Sequence, residues 1–374
     1  MKHSFQTLKT LIEIPSITGA YDANHDAIEF IDRFLSERGM HVKRFEFGGY
    51  ESLIATTQRT MKPTVMLVGH VDVVPADPEH FKFQHKDGKL IGRGMVDMKS
   101  SVAAYLDVVD TLQDELHEYD FGLMIVTDEE FGGFNGTVPL LDAGYLPSMC
   151  VIPDGGRDWA LETFAKGLWL VDFEIEGKSS HGSRPWEGDS ALTHLVQLTN
   201  DIKELFPKQP DWNTSTCTLS RIHAGDAMNQ VPGKANATFD FRYASVEDEK
   251  NLMNAAKLLF KKYDARITSE VYSAPCINDP ENPYLKSFAA SIEKQVGYPT
   301  GTTISNAGSD ARFFAAKGIP CAIFYPTGGG HHGPEEWIPQ EAYAQLQNIF
   351  LDYLRKEARL PQSERSSAEH ASIL

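Results

Sequence analysis

The side chains of this sequence that can do chemistry gather in five short stretches. They are "GHVDVVP" with His70 and Asp72, "GRGMVDMKS" with Asp97, "TDEEFGG" with Asp128, Glu129 and Glu130, "IPDGG" with Asp154, and "GGGHHGPEEW" with His331 and His332. Singly each has a plainer reading: Asp97 caps a helix starting nearby, the acidic run is a solvated loop, and Asp154 is a turn residue. Together, so many carboxylates converging on one place would repel one another unless a cation neutralised them. Imidazole nitrogen and carboxylate oxygen without thiolate suit a hydrolytic zinc pair, with cobalt or manganese as substitutes. Two such ions about 3.5–4 Å apart share a carboxylate and a water. One histidine and one carboxylate for each ion, plus a bridging aspartate, leave one acidic residue free as a base. A single-metal site is the simpler alternative.

Nucleotide chemistry fits less well. "GRGMVD" has G-x-G, but Asp97 stands where the third glycine would be, and no buried strand leads directly into it. "PTGGGHHG" lacks the lysine and following hydroxyl residue of a phosphate loop.

The elements that must position these residues follow from the apolar pattern. "TVMLVGH", "FGLMIVTDEE" and "SMCVIPD" are short, nearly continuous apolar runs that pass abruptly into polar residues, with a helical stretch expected from Met98 to Leu116 between the first two. Helical spacing also links Phe5, Leu8, Leu11 and Ile12, and then Ala27, Ile28, Ile31, Phe34 and Leu35 before Gly39. This is the α/β pattern, a mostly parallel sheet covered on both faces, in which ligands bind beyond the carboxyl ends of strands.

From about Gly167 the period changes to two: Trp169, Val171, Phe173 and Ile175 face one way, and so do Ala237, Phe239, Phe241 and Tyr243. With helices at Ala191–Val196 and Leu252–Leu259 and strands at "TCTLSRI" and "ARITSEVYS", the order is β-α-β-β-α-β, a ferredoxin-like unit of about a hundred residues inserted into the larger fold. α/β signals resume after Ser273. Asn282 and Pro283 start a helix that Gly297 stops, "GIPCAIFYP" is a further buried strand, and Glu341–Ala358 is a closing amphipathic helix. The expected division is a discontinuous catalytic domain (1–165 and 274–360), an inserted lid or dimerisation domain (166–273), and a disordered polar tail (361–374).

Composition narrows the function classes. Among 374 residues, 52 acidic against 35 basic side chains give a net charge of −17, a field that repels nucleic acid and anionic membranes. The first residues lack the apolar core of a signal peptide and no run is long enough to span a bilayer, so a cytoplasmic protein is expected. The four cysteines, Cys150, Cys217, Cys276 and Cys321, have no C-x-x-C spacing and read as reduced and mostly buried.

In order along the chain, "GHVDVVP", "GRGMVDMK", "DEEFGG", "PDGG", "SSHGSRP", "NQVPGKANATFDFR", "GSDARFF" and "HHGPEEW" resemble the M20 family of metal-dependent peptidases and deacylases, the group of acetylornithine deacetylase and succinyl-diaminopimelate desuccinylase. The resemblance implies that His70 and Asp154 bind one metal, Glu130 and His332 the other, and Asp97 both. His332 rather than His331 is chosen because H-G-P-x-E, ending at Glu336, is in register with the family pattern. It further implies that Asp72 orients His70, that Glu129 is the general base, and that the peptide after Asp97 is cis. His181 would supply a hydrogen bond to the oxyanion, often across a dimer interface. Asn229 and Arg242 would bind a substrate carboxylate, against the competing reading of Arg242 as a surface partner of Asp240, and Gly308 and Ser309 would line the pocket. Closure about hinges near residues 165 and 273 would then bring His181 to the metals.

The expected activity is removal of a small acyl group, acetyl or succinyl, from an N-acyl amino acid by a homodimer using two divalent ions. A dipeptidase or carboxypeptidase with the same centre is the alternative within the enzyme class, and a non-catalytic metal-binding homologue the alternative outside it.

Overall fold

The computed structural model describes residues 5–363. The tail expected over 361–374 therefore lies, from residue 364 on, outside the described residues. The chain forms two compact units. The larger takes the described residues through Thr163, then Ile277–Ile304 and the chain from Ser309; the smaller is Phe164–Cys276 with Ser305–Gly308.

The larger unit is built on a six-stranded sheet whose spatial order is His41–Phe47, Tyr50–Thr56, Phe121–Val126, Val65–His70, Met149–Ile152 and Cys321–Ile323. The last four run parallel. Every residue of those four strands is buried, which is why they read as unbroken apolar runs. Because they are parallel, their carboxyl ends share one edge, and His70, the 127–130 turn and Asp154 follow directly from it. The first two strands form an antiparallel hairpin joined to Ile125 through Leu53. Apolar patterning alone does not announce this hairpin, because His41–Phe47 lies at the sheet edge with no fully buried residue.

Helices Gln6–Glu13, Tyr21–Ser36, Lys99–Thr111, Pro283–Val296 and Gln340–Glu357 cover this sheet. The wholly buried Tyr105 ring packs 4.7 Å from Phe350. The helix expected from Met98 to Leu116 is shorter, Lys99–Thr111, and continues as a 3₁₀ stretch, Gln113–Glu118. Between Thr111 and Tyr119 only Leu112 and Leu116 are buried, so packing no longer rewards a continued α-helix. Pro283–Val296 begins where the side-chain oxygen of Asn282 accepts a hydrogen bond from the Tyr284 N–H (3.0 Å) and ends at Gly297 in the left-handed region, φ +80°.

The smaller unit runs strand Gly167–Glu176, helix Ala191–Lys203, strands Thr216–Ala224 and Lys234–Tyr243, helix Val246–Lys262 and strand Arg266–Ser273. Its antiparallel sheet has the Gly167 and Lys234 strands at the centre and the Thr216 and Arg266 strands at the edges, a ferredoxin-like arrangement. Trp169, Val171, Phe173 and Ile175 are buried with Ala191, Leu195 and Leu198 in one core. Trp169 stacks on Phe241 at 5.0 Å and Phe173 on Phe239 at 5.4 Å. Ser190 and Ser245 cap the two helices by accepting from Thr193 and Asp248 N–H groups.

Candidate metal centre

His70 is the last residue of its strand and is buried. Its Nδ1 lies 2.9 Å from the Asp72 backbone carbonyl and 3.5 Å from the Asp72 carboxylate, while Nε2 lies 3.0 Å from Asp97 Oδ1. The ring is thus held first by the Asp72 carbonyl. The Asp72 carboxylate instead accepts hydrogen bonds from Thr18 Oγ1 (2.9 Å) and from the N–H groups of Glu129 (3.3 Å) and Glu130 (3.2 Å). It ties the acidic turn to the histidine strand, a role that spacing alone does not reveal.

Asp97 precedes the Lys99–Thr111 helix but does not cap it: Met98 is the capping residue and makes no side-chain cap. The Asp97–Met98 peptide is cis. Oδ2 of Asp97 faces two imidazoles, His331 Nε2 at 2.7 Å and His332 Nε2 at 3.0 Å. Glu130 Oε1 lies 3.4 Å from His332 Nε2. Asp154 Oδ1 accepts from the Tyr325 hydroxyl at 2.5 Å. Ligand atoms of His70, Asp97 and Asp154 lie within 4.8 Å of one another, and so do those of Asp97, His331 and His332. Asp97 is common to both groups, and its two oxygens face different ones.

The polar bookkeeping of the cluster is incomplete in a way that fits a cation. Asp154 Oδ2 is buried without a hydrogen-bond partner, although an unpaired buried carboxylate oxygen is expensive, and Glu130 Oε1 has only the 3.4 Å approach of His332. Burial and the neighbouring Asp97 charge push Asp154 up to about 7. Burial, and then the Asp154 charge, push Glu129 well above the carboxylate range. Hydrogen bonds to Asp97 and Glu130 raise His332 to about 10. Burial opposes protonation of His70, but its contacts with Asp72 and Asp97 carry it well above the ordinary imidazole value.

The larger unit therefore brings His70, Asp72, Asp97, Glu129, Glu130, Asp154 and His332 together, and adds His331. His332 adopts φ +56°, so that both imidazoles of the adjacent pair reach the same aspartate oxygen, and His332 also lies 3.4 Å from Glu130. Tyr325 was not singled out by sequence reasoning; its signal is its place just beyond the buried strand Cys321–Ile323. Ser309, also in this unit, is buried with its hydroxyl unpartnered.

The other expected site residues belong to the smaller unit. Strand Ser180–His181 pairs with Gln230–Val231, and the Gly182 N–H donates to the Asn229 carbonyl at 2.6 Å, so His181 and Asn229 are close. The His181 ring is exposed and its Nδ1 lies 2.8 Å from Ser183 Oγ. Arg242 is not with them. It sits eight residues along the strand from Lys234, about 27 Å at the usual rise, and pairs across the sheet with Leu168. Its guanidinium donates to both Asp240 oxygens, at 2.7 and 3.1 Å. Gly308 is exposed.

The family description "Peptidase family M20/M25/M40" matches residues 66–356. Curated relatives include the succinyl-diaminopimelate desuccinylase of Rickettsia felis, 27% identical with 93% of this chain and 98% of that protein covered. The enzyme of the same name from Hahella chejuensis is 26% identical, with 92% and 94% covered. Among solved structures, a tripeptidase from Staphylococcus aureus superposes with a TM-score of 0.76 at 21% identity, covering 94% of this chain and 97% of that one. An M20 family metallo-carboxypeptidase from Sulfolobus solfataricus gives 0.76 at 18% identity, with 95% and 99% covered.

Proposed function

Because this chain belongs to peptidase family M20/M25/M40, we propose that it is an amidohydrolase that removes a small acyl group, acetyl or succinyl, from an N-acyl amino acid, using two divalent ions, zinc in the first instance. The observation that carries this reading is the sharing of buried Asp97 between two ligand groups, one wholly buried with His70 and Asp154 and one opening to the surface at His331 and His332, with Glu129 close enough to feel the Asp154 and His70 charges. The names of the curated relatives favour a deacylase.

His70 and Asp154 would hold one ion and His332 and Glu130 the other, with Asp97 between them. His331, 2.7 Å from the same aspartate oxygen, competes with His332 for the second position. Bound there, the ions would supply Lewis acidity toward the amide carbonyl and toward an attacking water.

Glu129 takes a proton from that water as its oxygen adds to the carbonyl carbon, and delivers the proton to the nitrogen as the carbon–nitrogen bond breaks. The products are a carboxylic acid and a free amine. His181 donates a hydrogen bond to the oxygen that becomes negative during addition. Arg242 offers two parallel N–H groups to the substrate carboxylate, exchanging Asp240 for it, with Asn229 as a further donor and Ser309 and Gly308 beside the ligand.

A homodimer belongs to this reading for a geometric reason. Arg242 lies about 27 Å along its strand from Lys234, the end of the strand that follows Asn229, a span longer than an acetyl or succinyl amino acid, so one small unit would not apply both ends to one substrate. A symmetric pair can, with Arg242 from one chain and the partner's His181 and Asn229.

The peptidase alternative is kept because the solved neighbours include a tripeptidase and a carboxypeptidase. Released amine, scored on N-acetyl and N-succinyl amino acids and on dipeptides with zinc, cobalt or chelator, decides between them. Chelator-sensitive cleavage of acyl amino acids alone is expected. Cleavage confined to dipeptides moves the reaction to a peptidase, and a properly folded, metal-loaded chain that cleaves nothing supports the non-catalytic homologue.

A further inference from the structure

Beyond the ligands and the base, one buried carboxylate has no part in the chemistry above, and all of its bonds lead to the metal-ligand segments. Glu336 is 2% exposed. Its Oε1 accepts from the N–H groups of Val96 (2.6 Å) and Asp97 (2.9 Å). Its Oε2 accepts from the Gly94 N–H (3.0 Å) and Arg93 Nη1 (2.8 Å). Arg93, 4% exposed, then turns to the histidine loop: its Nη2 donates to the carbonyls of Gly333 (2.9 Å) and His332 (3.3 Å).

These contacts form a closed circuit. Strand Lys89–Ile91 pairs with Trp337–Pro339, which fixes Glu336 alongside residues 92–97. The Glu336 carboxylate then sets the backbone of Asp97 itself, and Arg93 holds the carbonyl of His332, a residue kept at φ +56°, where a side chain other than glycine is disfavoured. The loop leaves no slack. A Cβ on Gly330 would lie 1.7 Å from the Glu335 carbonyl oxygen, so only glycine fits there.

We infer that Glu336 is a positioning residue which, through Arg93, locks the Asp97 carboxylate against His331 and His332 before any ion arrives, and so sets the affinity of the shared site. The inference rests on the metal reading given above. Partners that orient ligands in this way alter metal affinity by about 10- to 100-fold when removed. Glu336→Gln keeps the shape, but aims an NH₂ group at N–H donors and leaves Arg93 a buried, unpaired cation. Arg93→Gln/Glu336→Gln removes both charges together.

The test is zinc competition against a chromophoric chelator, with the visible spectrum of the cobalt-loaded protein and the melting temperature of the metal-free protein measured alongside. The expected result is that Glu336→Gln, or the double variant if the single one does not fold, binds zinc about 10- to 100-fold more weakly with an altered cobalt spectrum. Turnover should fall at saturating substrate with KM little changed. Zinc affinity and cobalt spectrum within about twofold of wild type, with only the melting temperature lowered, would reduce Glu336 to a structural residue and overturn the proposal alone. Should neither variant fold in the absence of metal, the circuit is structural and the proposal falls. A wild-type chain that takes up no zinc overturns the metal reading and this proposal together.

Discussion

Gly133→Ala is expected to be among the costliest single-methyl changes in the larger unit, and a second glycine isolates the reason. Gly133 follows the acidic turn at φ +68°, and a Cβ there would lie 2.0 Å from Asp310 Oδ1. Asp310 cannot easily retreat: it is buried, and its other oxygen is bound to Thr137 Oγ1 at 2.5 Å. A left-handed alanine costs about 1–2 kcal/mol. Displacing the carboxylate from Thr137 forfeits a charged hydrogen bond of about 1.5–3 kcal/mol, so the total is about 2.5–5 kcal/mol. Gly39, at φ +84° with nothing within 4 Å of its would-be Cβ, carries the backbone term alone.

Urea unfolding of both variants should therefore separate them by about 1.5–3 kcal/mol. Turnover of Gly133→Ala should also fall at least about tenfold, because the turn that moves carries Glu129 and Glu130. Equal destabilisation by the two alanines, with full turnover at Gly133→Ala, would refute the claim that this close approach sets the acidic turn.

Other outcomes are equally specific. Glu129→Gln should retain bound metal and melting temperature while losing about 10²- to 10⁴-fold in kcat, and wild-type turnover in a folded variant would remove Glu129 from the role of base. Mixing inactive Glu129→Gln chains with inactive His181→Ala chains should restore hydrolysis as subunits exchange, because one site of each mixed dimer is whole; no recovery in dimers shown to be mixed would place His181 in its own chain's site. Burial raises the Asp352 carboxyl, yet hydrogen bonds from Lys294 and Lys356 hold it at about 2, clasping the Pro283–Val296 helix to the final helix. Since that value lies below the ordinary 3.8, the stabilisation is present above about pH 4 and lost as pH falls toward 2. Asp352→Asn should thus destabilise by about 1–2 kcal/mol at pH 7, with the gap to wild type narrowing below about pH 4; a gap constant with pH would refute the ionic origin.

Those parts of the fold were legible whose burial is uniform along the chain. Val65–His70, Phe121–Val126 and Met149–Ile152 are buried on both faces and therefore appear as unbroken apolar runs. Trp169 to Ile175 alternates because helices cover one face of that sheet and not the other. The His41–Thr56 hairpin escaped notice because an edge strand need not be apolar. At the candidate centre, residue types marked the carboxylates and histidines, because charge convergence is a property of composition at strand ends. What spacing could not carry was backbone conformation: the left-handed His332 that brings two imidazoles to one oxygen, and the Asp72 carbonyl that takes the place expected for its carboxylate. Nor does the sequence say that Arg242 stands near the far end of a strand that begins at Lys234, beyond Asn229, since thirteen positions along a chain can be a hairpin or a span.

The pairing of Lys89–Ile91 with Trp337–Pro339 also bears on how the protein is made. About 250 residues separate these partners, and the candidate ligand groups draw on both sides of the gap. A ribosome delivers the smaller unit as one contiguous stretch well before it delivers His331. Once folded, that unit brings its own ends together, with Leu168 paired to Ser273 and Gly167 against Pro275, and so takes about a hundred residues out of the loop that must close. The candidate centre can then be assembled only after the histidine loop has been synthesised. A nascent chain that stops short of His331 therefore carries the finished smaller unit together with His70, Asp97, Glu130 and Asp154, yet lacks both imidazoles that face Asp97 Oδ2.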